Sequence, residues 1–162
     1  MPPASLLRLN RHSLAPILIV GGRGAEREAV ARAFHQESPL TGFPFLAMDC
    51  HYDARTLERA LDCWLLPASH PKVFNPLVGV EGGMLFLDRL ECLPPVTQQR
   101  VLLLLRRVGD EADAAGTSLP RRLAAGSRWY VPSNYGRRLD AELLDALDKI
   151  RVEVEGDGAG AE

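Results

Sequence analysis

Short apolar runs alternate with amphipathic stretches along most of this chain. Uninterrupted or alternating apolar runs predict strands at 17–20, 44–50, 84–87, 128–131 and 151–155. Apolar residues three and four positions apart predict helices at 26–35, 54–65, 95–108 and 140–147. Strands that alternate with helices are typical of α/β proteins, so we expect a parallel β-sheet sandwiched by helices.

The chain divides into one domain with two short flanking segments. Its 162 residues suffice for a single domain with a hydrophobic core. We interpret residues 1–14 as a lead-in and residues 15–155 as the α/β domain. The segment 156–162 is rich in glycine, alanine and acidic residues, and we predict that it is disordered.

Composition narrows the class of protein. Hydrophobic residues make up 46% of the chain and charged residues 25%, as in ordinary globular proteins. The formal net charge of −2 gives no electrostatic reason to expect direct binding to nucleic acid. No apolar run is long enough to cross a membrane. Three cysteines without a paired spacing argue against a disulfide framework, so we predict a cytoplasmic protein.

A glycine-rich turn follows the first predicted strand and precedes a helix, which is where a P-loop lies. The candidate nucleotide-binding residues in this turn are Gly21, Gly22, Arg23, Gly24, Ala25, Glu26, Arg27 and Glu28. A P-loop has the pattern G-x-x-x-x-G-K-[ST], in which backbone N–H groups and the lysine hold phosphates. Here Glu26 stands at the second glycine and Arg27 at the lysine.

These substitutions allow two interpretations of the turn. A carboxylate about 4 Å from one phosphate charge costs on the order of 4 kcal/mol at an effective dielectric near 20, so Glu26 disfavours ATP. Alternatively, Glu26 and Glu28 stabilise the first turn of a helix by about 0.3–1 kcal/mol each through its dipole. We favour a turn that satisfies its own polar groups, with residual nucleotide binding as the alternative.

Asp88 ends a strongly apolar strand and is a further candidate. It could hold Mg²⁺, or it could cap the next turn or pair with an arginine, and we favour the second interpretation. Arg89 beside it cannot act as a base, so ATP hydrolysis is not expected. We hypothesise that Arg89 forms an ion pair with Glu26 or Glu28 and occupies the phosphate site.

Two other groups of polar residues were considered as sites. Asn134 follows a predicted strand, where it could act as a nucleotide sensor or could simply be a turn residue. A zinc site would have to draw on Cys50, His51, Cys63, His70 and Cys92. Their spacing matches no common ligand pattern, so we predict that the cysteines pack in the core and that no metal is bound.

Several motifs occur in an order that resembles one known family. The segments are PILIVGGRG (16–24), ARAFHQESP (31–39), PFLAMDC (44–50), GGMLFLD (82–88) and SRWYVPSN (127–134). Together they resemble the AAA+ core of bacterial sigma-54-dependent enhancer-binding transcription activators, over roughly residues 15–154. The resemblance implies a P-loop AAA+ fold without the family's C-terminal helical lid or DNA-binding helix-turn-helix.

The sequence departs from the family at the positions that handle ATP. The resemblance places Glu26 and Arg27 at the phosphate-binding glycine and lysine, and Arg89 at the second acid of the Walker B pair. Asp140 and Ala146 stand where the resemblance implies arginine fingers, and Asn134 matches the sensor asparagine. The GAFTGA loop that contacts sigma factor would fall at 61–80, where nothing similar occurs.

The resemblance and its departures lead to one main expectation and one alternative. We expect a degenerate AAA+ domain that regulates transcription through a protein partner, such as a sigma-54 activator or a sensor protein, without hydrolysing ATP. The alternative is a regulatory protein that binds ATP, with Mg²⁺, through an altered P-loop. Neither direct nucleic-acid binding nor membrane binding is expected.

Overall fold

The computed structural model describes residues 4–111, 118–129 and 139–155, which form one α/β unit. Its strands are β1 (Ile17–Gly21), β2 (Phe45–Asp49), β3 (Met84–Asp88), β4 (Arg122–Ser127) and β5 (Ile150–Val154). They form a single sheet in the order β2-β3-β4-β1-β5, and every neighbouring pair is parallel. The predicted parallel sheet is therefore confirmed.

Helices cover both faces of the sheet. They are α1 (Ala4–Leu9), α2 (Gly24–Gln36), α3 (Ala54–Leu65), α4 (Pro95–Asp110) and α5 (Ala141–Leu147). Short 3-10 turns lie at Lys72–Phe74, Val78–Val80 and Leu90–Cys92. Among the described residues, no helix combines the length and the apolar character that crossing a membrane requires.

Alternate residues of the interior strand β1 enter two separate cores. Ile17 and Ile19 of β1 pack with Phe34 of α2 on one face. Leu18 and Val20 pack with residues of α3, α4 and α5 on the other face. Because both faces are covered, β1, β3 and β4 are buried over almost their whole length, as parallel strands usually are.

The sheet topology indicates where a ligand would bind, at the carboxyl ends of two neighbouring strands. The neighbouring strands β1 and β4 lead to helices on opposite faces, because α2 packs in one core and α5 in the other. In open α/β sheets, ligands bind outside the carboxyl ends of the strands at such a switch point. The glycine-rich turn after β1 lies at this point.

One predicted strand was placed wrongly. The fourth strand was predicted at 128–131, whereas β4 runs from Arg122 to Ser127. Arg128 and Trp129 lie beyond the strand, and 130–131 lie outside the described residues. The strand contains Ala124, Ala125 and Gly126, which have low β-propensity and hide it from pattern analysis. Small residues are suited to this strand because it is buried on both faces between β1 and β3.

The other predicted elements are confirmed with small shifts in their bounds. Helix α2 begins at Gly24, two residues before the predicted start, and α3 has its predicted bounds. The lead-in contains the short helix α1, whose leucines Leu6 and Leu7 pack against the α2 side of the sheet. The predicted tail 156–162 lies outside the described residues, as does the segment 112–117 after α4.

Candidate functional site

The connection between β1 and α2 is very short. Strand β1 ends at Gly21 and α2 begins at Gly24, so Gly22 and Arg23 alone join them. Gly21 and Gly22 have φ angles of +89° and +63°, which favour glycine. A Cβ atom on Gly21 would lie 2.6 Å from the carbonyl oxygen of Val154, and one on Gly22 2.5 Å from a methyl carbon of the same residue. The end of β5 therefore packs closely against the turn.

Glu26 completes the first turn of α2. Its Oε1 accepts a hydrogen bond from the backbone N–H of Arg23, the N-cap residue, at 2.9 Å. The backbone N–H of Arg27 donates to the Arg23 carbonyl at 3.0 Å. Glu26 thus plays the part of the acid in a capping box, and the interpretation of a turn that satisfies its own polar groups is supported by these bonds. On the outer surface of the helix, Glu28 pairs with Arg32 at 3.1 Å.

Arg27 fills the space between the turn and β3. Its side chain is fully buried, and its Nε and Nη2 donate to the two carboxylate oxygens of Asp88 at 2.7 and 3.3 Å. Its Nη1 donates to the carbonyl oxygens of Gly21 and Gly22 at 3.0 and 2.9 Å. One guanidinium therefore joins the first turn of α2, the end of β3 and the loop backbone. The interpretation that Asp88 pairs with an arginine is confirmed.

Gly126 of β4 makes room for this pair. A Cβ atom there would lie 2.2 Å from Oδ1 of Asp88 and 3.0 Å from the ring of Phe86. The Asp88 carboxylate therefore rests directly on the β4 backbone. Sequence analysis missed Gly126 because β4 itself was misplaced; a glycine within a buried strand, where a close approach is common, was the available signal.

Arg89 does not occupy the phosphate site, so the hypothesised pair with Glu26 or Glu28 is wrong. Its Nε and Nη2 donate to Asp49, at the end of β2, at 3.0 and 2.6 Å. Arg89 has a left-handed backbone (φ 52°, ψ 48°) and its guanidinium lies 5.2 Å from the Tyr52 ring centre. This backbone conformation turns the chain directly after β3, so that Arg89 projects toward β2 instead of toward the glycine-rich turn.

The Asp49–Arg89 pair has a clear electrostatic signature. Partial burial raises the pKa of Asp49, but hydrogen bonds from Arg89 and the His51 backbone, with the Arg89 charge, outweigh it and lower the pKa overall. The hydrogen bond with Asp49 raises the pKa of Arg89. Both groups are therefore charged at neutral pH.

A third arginine is paired near the end of β4. Arg128 Nε lies 2.8 Å from Oε2 of Glu91, whose side chain is almost completely buried. The Arg128 guanidinium also stacks on Trp129, 4.4 Å from the ring centre. The carboxyl ends of β2, β3 and β4 thus each carry an arginine–carboxylate pair.

The remaining predicted site residues have structural roles or lie outside the description. Asp140 caps α5, where its Oδ2 accepts from the Leu143 N–H at 3.0 Å, and Ala146 is half-buried against the core. Asn134 lies outside the described residues.

Two of the three cysteines are buried, as the prediction of core packing requires. Cys50 and Cys63 are buried and Cys92 is half-buried. Burial raises the pKa of the Cys50 thiol. Within 4–111, 118–129 and 139–155, no three His, Cys, Asp or Glu side chains form a group suited to a metal ion.

The fold is that of a P-loop AAA+ domain, as solved structures show. NtrX from Brucella abortus in complex with ATP matches with a TM-score of 0.65 and 19% identity, over 93% of this chain and 34% of that one. The P-loop NTPase domain of the sigma-54 transport activator from Escherichia coli matches with a TM-score of 0.54 and 16% identity, over 92% of this chain and 89% of that one. At these identities the likeness establishes the fold alone.

Sequence relatives define the family. The Psp operon transcriptional activator of Escherichia coli is 30% identical over 82% of this chain and 43% of its own length. DctD, a C4-dicarboxylate transport regulator of Rhizobium meliloti, is 30% identical over 65% of this chain and 23% of its own length. GlrR of Escherichia coli is 31% identical over 74% of this chain and 31% of its own length.

No protein-family model matches the chain. The homology nevertheless agrees with the fold: the chain belongs to the AAA+ domains of sigma-54-type transcriptional activators, and the resemblance found from the motifs is confirmed. The chain spans less than half the length of these curated relatives.

Proposed function

We propose that this domain regulates transcription through contacts with a protein partner and does not turn over ATP. The observation that carries the proposal is the buried Arg27–Asp88 pair, which joins the two positions that hold phosphate and Mg²⁺ in P-loop proteins. The relatives are transcriptional regulators, which supports the regulatory part of the proposal.

The arrangement is a poor fit for Mg-ATP. Both carboxylate oxygens of Asp88 accept hydrogen bonds from Arg27, so Mg²⁺ would have to displace a guanidinium from a buried pair. Breaking a buried ion pair costs about 3–5 kcal/mol, which binding of the nucleotide would first have to supply. Glu26 adds a negative charge next to the phosphate position and holds the N–H of Arg23 in its own hydrogen bond.

Hydrolysis is disfavoured for a separate reason. An ATPase needs a group that orients or deprotonates the attacking water, and the position after Asp88 carries Arg89. Arginine is never deprotonated at neutral pH, and Arg89 is held by Asp49. Even a bound nucleotide would therefore lack this catalytic group.

Binding of nucleotide without hydrolysis is the second candidate function. It is favoured by Gly21 and Gly22, which keep the left-handed conformations of a glycine-rich turn at the switch point of the sheet. In this case Arg27 would leave Asp88 and contact phosphate, so the domain would act as an ATP sensor. The two candidates differ in whether Arg27 exchanges partners.

Calorimetric titration of Mg-ATP and Mg-ADP separates the two candidates. We expect no binding heat with the wild type and measurable binding with the variant Glu26→Gly, Arg27→Lys, Arg89→Glu, which restores the second glycine, the lysine and the second acid of the family pattern. The matched control is Arg32→Lys, which alters only the exposed surface of the same helix. Micromolar binding to the wild type would contradict the proposal and favour the ATP sensor.

The proposed partner is a sigma-54 activator or the sensor protein that controls one. Family members assemble as rings in which a neighbour completes each ATP site, so a subunit with Asp140 and Ala146 in place of arginine fingers would inactivate the adjacent site. The test is ATPase activity of an activator from the same organism, measured as this chain is added. We expect activity to fall as the chain is added, and unchanged activity would exclude this mode of action.

A further inference from the structure

Two adjacent depressions lie along the seam between α4 and α5, far from the glycine-rich turn. The first has a volume of about 360 Å³ and the second about 290 Å³. The apolar residues of the first are Leu14, Pro16, Leu105, Val108, Leu123 and Ala146. Arg106 and Glu142 line both depressions and form an exposed ion pair between them at 2.9 Å. We call this surface the α4–α5 groove.

Helix α4 presents an apolar stripe beside the groove. Val96 and Leu103 lie seven positions apart on its outer side, and 67% and 51% of their surfaces are exposed. Leu103 borders the smaller depression. At Gly109, which lines the larger one, a Cβ atom would meet no atom of the described residues within 4 Å, so these residues leave space next to the helix. The groove therefore has both a protruding apolar side chain, Leu103, and a depression with an apolar lining that could receive such a side chain.

The charges around the groove indicate what covers it. The bases that line it are Arg106, Arg121 and Lys149, and the acids are Asp140, Glu142 and Asp145. Equal numbers of the two signs suit neither nucleic acid nor a strongly charged protein. They suit a surface with the same mixed pattern, and a two-fold dimer brings each surface against its own copy.

We propose that the α4–α5 groove is the interface of a two-fold homodimer. Leu103 of each copy enters the larger depression of the other copy, next to Gly109. A two-fold axis near Arg106 makes this exchange reciprocal, since Leu103 and Gly109 lie three residues on either side of it. These two residues are about 120° apart around the helix, so the two α4 helices cross steeply. Near the axis, Arg106 of each copy faces Glu142 of its partner.

The test is sedimentation equilibrium of the full chain. We expect a reversible dimer that Leu103→Asp weakens by about tenfold or more, since it places a charge in an apolar hole. Gly109→Met fills the hole from within and should weaken the dimer comparably, without strain in the fold because the space is open and methionine favours helix. The control is Val73→Asp, at an exposed apolar position in the 3-10 turn Lys72–Phe74, which should leave the dimer unchanged.

A charge reversal tests the two-fold geometry independently of the apolar contacts. Arg106→Glu and Glu142→Arg should each weaken the dimer alone, because each variant sets like charges against each other across the interface. An equimolar mixture of the two variants should restore association as a heterodimer. A wild type that is monomeric at every concentration would overturn the proposal. So would a dimer that ignores Leu103→Asp and Gly109→Met, or a mixture that does not associate.

Discussion

Two fully buried arginines, one at each end of the sheet, show how differently this fold accommodates the same side chain. Arg27 lies at the carboxyl end, where it makes a bidentate pair with Asp88 and two bonds to loop carbonyls. Arg122 begins β4 at the amino end, where its Nε donates to the Ala15 carbonyl at 2.8 Å. Its Nη1 and Nη2 have no hydrogen-bond partner among the residues that the structure describes.

The difference separates an arginine that is matched to its surroundings from one that is simply enclosed. Arg27 lies beside a carboxylate in a place where the sheet topology puts charged groups. Arg122 lies against apolar residues, 6.0 Å from the Phe34 ring centre, and burial lowers its pKa to about 10. It therefore remains charged at neutral pH, at a cost in desolvation. Removing these two arginines should change stability in opposite directions.

Arg27→Met should have the largest effect. It leaves the Asp88 carboxylate buried without its cation, so we expect the free energy of unfolding to fall by about 3–5 kcal/mol. The measurement is urea denaturation at neutral pH. The double variant Arg27→Met, Asp88→Leu should recover much of the loss, because it removes both charges. If the single variant were as stable as the double, the pair would not be the buried contact described above.

Gly126→Ala tests the same end of the sheet without removing a charge. The new Cβ atom would fall 2.2 Å from Oδ1 of Asp88, so the carboxylate must move and the pair must distort. We expect a loss of about 1–3 kcal/mol in urea denaturation. Gly79→Ala is the matched control, since a Cβ atom there meets nothing within 4 Å. Equal stability of both variants would show that Asp88 does not rest on β4.

Arg122→Met should act in the opposite direction from Arg27→Met. It removes a buried charge that no carboxylate of the described residues pairs, while losing one hydrogen bond to Ala15, so we expect stability to stay constant or to rise by up to about 2 kcal/mol. Thermal and urea unfolding both report the change. A clear loss of stability would mean that the guanidinium anchors the segment before β1 and is not merely tolerated.

Arg89 is an intermediate case, because its partner Asp49 is partly exposed. The pKa of Asp49 is lowered in the folded state, so the stabilisation is present above the unfolded pKa near 3.8 and disappears as the pH falls through the lower folded value. Asp49→Asn should therefore reduce stability by about 1 kcal/mol at neutral pH, after solvent screening. The difference from wild type should shrink below about pH 4. A difference that is constant across this range would exclude the ionic contribution.

Sequence patterns predicted the framework of the fold more fully than the contacts of the site. Helix α3 and strand β3 have strong apolar periodicity, and their predicted positions are correct because the period itself reflects burial. Strand β4 was misplaced because its small residues produce little hydrophobic periodicity. Small residues occur there because the strand is packed between neighbouring layers of the fold. A local pattern cannot express such a tertiary cause.

The pairing at the site was predicted in kind and not in identity. Pairing with an unnamed arginine was one of the structural roles expected for Asp88, but its partner Arg27, 61 positions away, was not identified, and Arg89 was expected to pair with Glu26 or Glu28. The left-handed backbone at Arg89, which directs it toward Asp49, has no sequence signal in an arginine. The acid at Glu26 was recognisable, since acids in a first helical turn follow a general rule.

The most direct test of the closed nucleotide site is a ¹⁵N NMR spectrum of the arginine side chains during titration with Mg-ATP. The Nε–H signal of Arg27 can be assigned from its loss in Arg27→Lys, and the Gly22 amide reports on the turn. We expect a slowly exchanging Arg27 signal that, like the Gly22 signal, does not move as Mg-ATP is added. Saturable shifts of both signals would show that Arg27 leaves Asp88 for phosphate, and would make this domain an ATP sensor instead.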